Sequence, residues 1–334
     1  MLNKIYESIK KYIGENYKFL IVLVLIVFVF TYQMPYVVYK PGGLVHLNDR
    51  IKIDNEYKQK GDLSMTYVSL VKGTISSLAL SYLMPNWDIV SKKEVSDDKS
   101  VDELFKLERI YLQSSIDNAT IVAYQKAGKM ININKYYNNV IFLTDEANTN
   151  IKVYDKILEV EGQIVENVEQ IKAIVSHYHE GDTISIKAIR GKKEIEGYAR
   201  VFEKEGKQYL GIGSINTYEY DTVPKIDIKT KKSETGSSGG LMLGLEIYNK
   251  LTKEDITHGK IIAGTGTIDI DGKVGQIDGV KYKLLGAYKN KADIFLCPKS
   301  NYKEAMKIKK EKKLKIEIKS VDNFDEALNY LQNL

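Results

Sequence analysis

Gly236-Ser237-Ser238-Gly239-Gly240, running into Leu241-Met242-Leu243-Gly244-Leu245, is the stretch on which the reading of this chain turns. Small residues let a backbone bend sharply and leave a hydroxyl uncrowded, with peptide N–H groups free to meet a substrate oxygen. Leu241, Leu245, Tyr248 and Leu251 recur at steps of four, three and three, which predicts a helix with one apolar face. A serine at a glycine-rich helix entrance is a candidate nucleophile, and it needs a base. His46, His177, His179 and His258 lie in no setting that suggests a triad, and His258 sits in a polar turn. Lysine is the alternative base when burial or neighbours lower its pKa. By itself a Gly/Ser run is more often a plain loop.

Further along stand Thr265-Gly266-Thr267-Ile268 and Asp278-Gly279-Val280-Lys281-Tyr282-Lys283. With the serine stretch, in this order and spacing, they make residues 210–300 resemble the proteolytic domain of Lon-type peptidases. That family carries G-P-S-A-G, then T-G-x-I, then G-G-[VIL]-x-x-K, and uses a Ser–Lys dyad. The resemblance implies Ser238 as nucleophile, Lys283 rather than Lys281 as general base, and Thr265 as a supporting hydroxyl. The backbone N–H groups of Gly236, Ser237 and Ser238 are candidate oxyanion donors. Ser237 replaces the family's proline, Gly239 its alanine and Asp278 the first glycine of the lysine turn, and Thr235 stands where many members have an acid.

Phe19 to Tyr39 holds no charged residue, and Phe19–Phe30 is apolar throughout. A bilayer needs about 20 such residues, and a buried soluble helix is rarely apolar on every face for this length. The segment predicts a transmembrane helix over 19–39, with Tyr32, Tyr36 and Tyr39 as an interfacial belt. Lys4, Lys10, Lys11 and Lys18 precede it, which places residues 1–18 in the cytoplasm and the rest outside. Bulky Thr31-Tyr32-Gln33-Met34-Pro35 offers no small-residue cleavage site, so an uncleaved anchor is favoured over a signal peptide.

The exterior part reads as a polar connector over 40–62, a strand at Leu63–Leu70, a helix over 73–90, a charged loop over 91–100 and helical sequence over 101–127, broken near Ser114-Ser115. Residues 138–205 order their elements differently. Val140–Leu143 is a short strand, 151–165 two strands about Gly162, Val168–Val175 a short amphipathic helix, and Thr183–Arg190 an alternating strand. This order resembles a PDZ domain of the bacterial protease-associated type. It implies peptide capture by strand addition near Asn139, Val140, Ile141 and Phe142. A spacer that binds nothing is the plain alternative.

An anchor, a PDZ unit and a Lon-type domain together resemble the membrane-anchored PDZ–Lon-like serine proteases of Gram-positive bacteria. The resemblance implies an α+β fold in which a PDZ domain interrupts the Lon-type domain. Expected boundaries are 1–18, 19–39, 40–137, 138–205 and 206–334, with Leu63–Leu70 pairing strands from 208–230. The expected activity is ATP-independent cleavage of peptides or flexible protein segments outside the cell. A catalytically inactive, membrane-tethered PDZ scaffold is the alternative.

Composition narrows the partners. A net charge of +5 over 334 residues does not suggest nucleic acid. No phosphate-cradling loop with a following Lys-Ser/Thr appears, so no ATP site is expected. No His/Cys/carboxylate cluster has metal-ligand spacing, and His177-Tyr178-His179 lies in a loop, so neither metal nor cofactor is expected. The single cysteine, Cys297, sits in an apolar strand and reads as core.

Overall fold

The apolar N-terminal run folds as one helix, α1 (Leu2–Thr31), in a computed structural model that describes residues 2–96 and 100–334. Met1, and residues 97–99 of the expected charged loop, lie outside the described residues. Ile5–Thr31 is long and apolar enough to cross a membrane, and its most apolar window is buried by nothing in the protein. The helix ends earlier than the sequence suggests. Pro35 cannot continue it, and residues 33–39 pair as strand instead. Only Tyr32 separates α1 from strand β1 (Gln33–His46). Tyr39 is therefore a strand residue stacked on Tyr282 at 5.6 Å, not part of a belt.

The expected connector over 40–62 holds the rest of β1 and strand β2 (Ile51–Ile53), and β3 (Asp62–Thr74) follows. β3 pairs antiparallel with β1 on one side. Its other partner lies in the C-terminal part, not among residues 208–230. Helix α2 (Ile75–Leu83) starts at a reciprocal Thr74–Ser77 cap. Strand β4 (Asp88–Ser91) then returns to pair with β1. A short helix α3 (Lys92–Ser96) occupies part of the expected charged loop. Helix α4 (Val101–Lys126), capped by Ser100 and Glu103, runs unbroken through Ser114-Ser115. Both serines are buried, so tertiary contacts hold them in the helix.

The central unit begins with β5 (Met130–Leu143), β6 (Lys156–Val160), β7 (Gln163–Ile164) and helix α5 (Val168–Val175). It continues with β8 (Thr183–Arg190), β9 (Lys193–Arg200), β10 (Phe202–Lys204), β11 (Lys207–Tyr209) and β12 (Ile212–Val223). Its sheet runs β12-β5-β6-β8-β9. Its own core gathers Val140, Ile157, Val160, Ile184, Ile186 and Ala199, with Ile171 of α5 packed against it. The β5–β12 pair stays in contact from Leu143–Ile212 down to Met130–Val223, so the unit leaves and rejoins the chain through one two-stranded stalk.

The C-terminal part supplies β13 (Ile226–Ile228), α6 (Gly240–Leu251), β14 (Ile261–Gly264), β15 (Thr267–Ile268) and β16 (Val274–Gly275). It then adds α7 (Val280–Lys289), β17 (Ile294–Pro298), α8 (Lys299–Lys312), β18 (Glu317–Val321) and α9 (Phe324–Gln332). Its strands do not form a sheet alone. The order β18-β17-β14-β3-β1-β4 joins them to the N-terminal strands, with β14 parallel to β3. Successive strand residues face opposite sides. Ile294 and Leu296 join the core of α4, α6 and α9, while Phe295 and Cys297 join that of α7 and α8. Cys297 is a core residue, as its sequence setting suggests. The α+β architecture, with a β-rich unit set inside a larger fold, matches the sequence reading.

Candidate active site

Ser238 lies one residue before the Gly239 cap of α6. Two glycines permit this. A Cβ on Gly240 would meet Ser115 Oγ at 2.6 Å and Ile268 Cγ2 at 2.8 Å, so α6 seats against α4 and β15 only without one. Gly279, at φ 70°, starts α7 from the left-handed region and turns the chain so that Lys283 points inward. Both Ser238 and Lys283 line one cleft, together with Met65, Thr66, Glu108, Leu112 and Gly236. Ser237 is not on the cleft wall, and its carbonyl accepts from Ser115 Oγ at 2.9 Å.

Lys283 is buried, and desolvation pulls its pKa down to about 8, opposed by the nearby Asp278 carboxylate. Its Nζ donates to Thr265 Oγ1 at 3.2 Å, and Thr265 Oγ1 donates to the Ser238 carbonyl at 3.0 Å. The Gly266 N–H donates to the same carbonyl at 2.8 Å. A fully buried threonine thus links the lysine to the backbone of the serine. Lys281 is held elsewhere: its ammonium and the Tyr282 hydroxyl both reach Asp88.

The expected oxyanion donors do not all stand. The Gly236 N–H is taken by the Glu108 carbonyl at 3.0 Å, which fixes the serine loop to α4 and removes Gly236 from the set. Ser237 and Ser238 stay candidates. A serine–histidine–carboxylate group does lie on the sheet, away from Ser238: His46 Nδ1 is 2.9 Å from Asp62 Oδ2 and 3.1 Å from Ser64 Oγ. Ser64 is fully buried and its hydroxyl donates to Asp62, so no substrate can reach it.

The expected capture site over residues 139–142 divides: Phe142 is exposed at the end of β5, while the site's first two residues are enclosed. Asn139 and Val140 are buried in the middle of the sheet, and Asn139 pairs with Ile215 on one side and Lys156 on the other. No strand can be added there. β12 is an edge strand of this sheet. Beside it and α5 lies a cavity of about 420 Å³, lined by Phe142, Ile171, Val175, Leu210, Gly211 and Ile212. Gly211 takes φ 71° where a Cβ would meet Thr144 and Ala147. A glycine between apolar residues at a strand start was the available signal in sequence. Glu108 and Ser115 were missed because nothing in α4 itself shows which face meets the serine loop. Among the described residues, no group of three or more His, Cys, Asp or Glu side chains is placed to hold a metal ion.

Comparison with known proteins bears on this site. Residues 225–333 match the Lon protease (S16) C-terminal proteolytic domain. The chain is 35% identical over 96 residues to a Lon protease of Mesomycoplasma hyopneumoniae, covering 29% of this chain and 11% of that protein. It is 26% identical over 216 residues to Lon protease 2 of Borreliella burgdorferi, covering 61% of this chain and 25% of that protein. The chain therefore spans about a quarter or less of these relatives' length. The PDZ domain of an SdrC-like protein from Listeria innocua aligns with 23% of this chain and 92% of its own, at 22% identity and a TM-score of 0.22. Ser238, Thr265 and Lys283 all fall inside the segment that matches the Lon proteolytic domain.

Proposed function

We propose that this chain is a membrane-anchored serine endopeptidase that cleaves peptides or flexible protein segments through Ser238 and Lys283. One observation carries the reading: a buried lysine with a lowered pKa is linked through Thr265 to the backbone of a serine on the same cleft. Neutral Lys283 takes the Ser238 proton as the hydroxyl attacks the scissile carbonyl. The resulting ammonium protonates the leaving amine, and the acyl-enzyme is then hydrolysed by a water activated in the same way. An ordinary lysine, with a pKa of about 10.4, would be almost wholly charged at neutral pH and useless as a base. Here burial supplies the neutral form. The N–H groups of Ser237 and Ser238, next to the positive end of α6, meet the developing oxyanion.

The lysines before α1 support a cytoplasmic N-terminus, with the catalytic part outside. The β12 edge and its cavity support capture of an extended polypeptide by the central unit, in the manner of a PDZ domain. The test is turnover of fluorogenic peptides by the full chain in detergent. Ser238→Ala and Lys283→Ala should each lose cleavage to background, while Ser237→Ala and Lys281→Ala keep it. Wild-type rates in Ser238→Ala or Lys283→Ala would overturn the assignment.

A further inference from the structure

Glu108 stands on the wall of the cleft that holds Ser238, and the dyad does not use it. Its carbonyl fixes the Gly236 N–H, and its Oε2 hangs over Gly236, 3.0 Å from where a Cβ would stand. The carboxylate is thus held two residues from the nucleophile. It is half-buried, and among the described residues it has no hydrogen bond and no ion pair. The arginines near it and Lys283 are committed elsewhere, and Lys231, on the same cleft, is exposed and makes no ion pair with it. Arg109 reaches back to the carbonyls of Glu234 and Lys231 at 3.2 and 3.5 Å. Arg50, on the same cleft, is paired with Glu234 at 2.9 Å. Lys283 feels Asp278 and not Glu108.

Taking a carboxylate partly out of water without a partner costs free energy, and a cation placed there returns it. Burial alone raises the Glu108 pKa, and no positive charge opposes it. The apolar surface around it has a matching shape. Leu112, one turn along α4, and Met65 of β3 line the same wall. A lysine or arginine side chain lays its methylene stem on such a surface and sends its charged head to the acid.

We propose that Glu108 is a specificity-determining residue that receives a lysine or arginine side chain of the substrate close to the bond cleaved at Ser238. The proposal rests on the peptidase reading of this cleft and names its substrate class: polypeptides with a cationic residue beside the scissile bond.

The test uses the full chain in detergent and fluorogenic peptides that differ only in a Lys, Gln or Glu near the cleaved bond. Wild-type kcat/KM should favour Lys over Gln by about tenfold, the value of one charge-assisted contact. Glu108→Gln should bring that ratio to within about twofold, and Glu108→Lys should place the Glu peptide ahead. The same Lys-to-Gln ratio in wild type and both variants overturns the proposal. Residual turnover of the Gln peptide by each variant shows that its cleft is assembled. If the wild type cuts none of the peptides, the peptidase reading falls by itself. Fluorescence anisotropy with the labelled peptides then decides the charge assignment. A Lys preference lost in Glu108→Gln upholds it, and equal binding of all three peptides to the wild type overturns it.

Discussion

Lys283 is badly placed for a cation, which suits it to the base role proposed for it, and the same placement sets a pH dependence. Its pKa in the fold, about 8, lies below the ordinary 10.5. The stability contributed by burying the neutral amine is therefore complete above pH 10.5 and is lost as pH falls through 8. At pH 7 the buried ammonium costs on the order of 3 kcal/mol. Lys283→Met should therefore do two opposite things at pH 7. Cleavage disappears, and the midpoint of thermal unfolding rises. The gain in midpoint should shrink toward pH 10, where the wild-type lysine is already neutral in the fold. Wild-type kcat/KM should climb between pH 7 and 9 with its half-point near 8. A flat rate profile over that range, or an unfolding midpoint that the methionine leaves unmoved, would show that the amine is not the titrating base. Thr265 and Ser238 are the other half of this arrangement, since the threonine holds the lysine and the serine backbone in one chain of hydrogen bonds.

At the scale of elements, the β5–β12 pair decides how the central unit is attached. Asn138 opposes Asn216 and Tyr137 opposes Thr217. Cutting at residues 138 and 205 would break β5 in its middle and leave Ile212–Asn216 of β12 without a partner. Cutting in register keeps a closed hairpin: residues 138–216 replaced by a short Gly-rich turn joining Tyr137 to Thr217. That hairpin also keeps Asp117, whose carboxylate accepts from the Tyr218 N–H at 2.9 Å and ties α4 to the stalk. If the unit delivers substrate, it holds a captured chain at high effective concentration near Ser238. The in-register excision should then slow cleavage of a folded-state protein substrate with a flexible tail by about tenfold or more, while a short peptide is still cut. Equal losses on both substrates, with the unfolding midpoint preserved, would remove the delivery role. The same reasoning explains the correction at Asn139–Phe142. A strand takes up a peptide only where its edge is free, and at Asn139 β5 is flanked on both sides.

At the scale of the whole molecule, Tyr32 alone joins α1 to β1, so the catalytic sheet is held close to the end of the apolar helix with no linker between them. β1 also pairs with β3, whose Met65 faces the nucleophile's cleft, so the anchor and the site share one sheet. The orientation proposed from the flanking lysines puts the sheet outside the cytoplasm. Protease added to intact cells stripped of their wall should degrade the part after Thr31. An epitope at the N-terminus should survive until lysis. Survival of the C-terminal part in intact cells, with digestion only after lysis, would reverse the orientation.

The apolar run, the three ordered motifs and the helix after Ser238 were legible in the sequence by itself. These are local signals. A span is set by its own composition, a helix by its own periodicity, and a serine or lysine motif by neighbours within a few residues. The tertiary structure alone decided where each strand finds its partner. β3 pairs with β1 and β14 rather than with residues 208–230, because register follows from which faces are buried when the layers close. It also moved residues 33–39 from the span into the sheet, and enclosed Asn139 and Val140 between neighbouring strands. The unpartnered carboxylate of Glu108 came to light the same way. Whether a glutamate on a helix faces water, an arginine or a nucleophile is fixed only when the serine loop docks on α4, through the Gly236–Glu108 and Ser237–Ser115 bonds that join residues far apart in the chain.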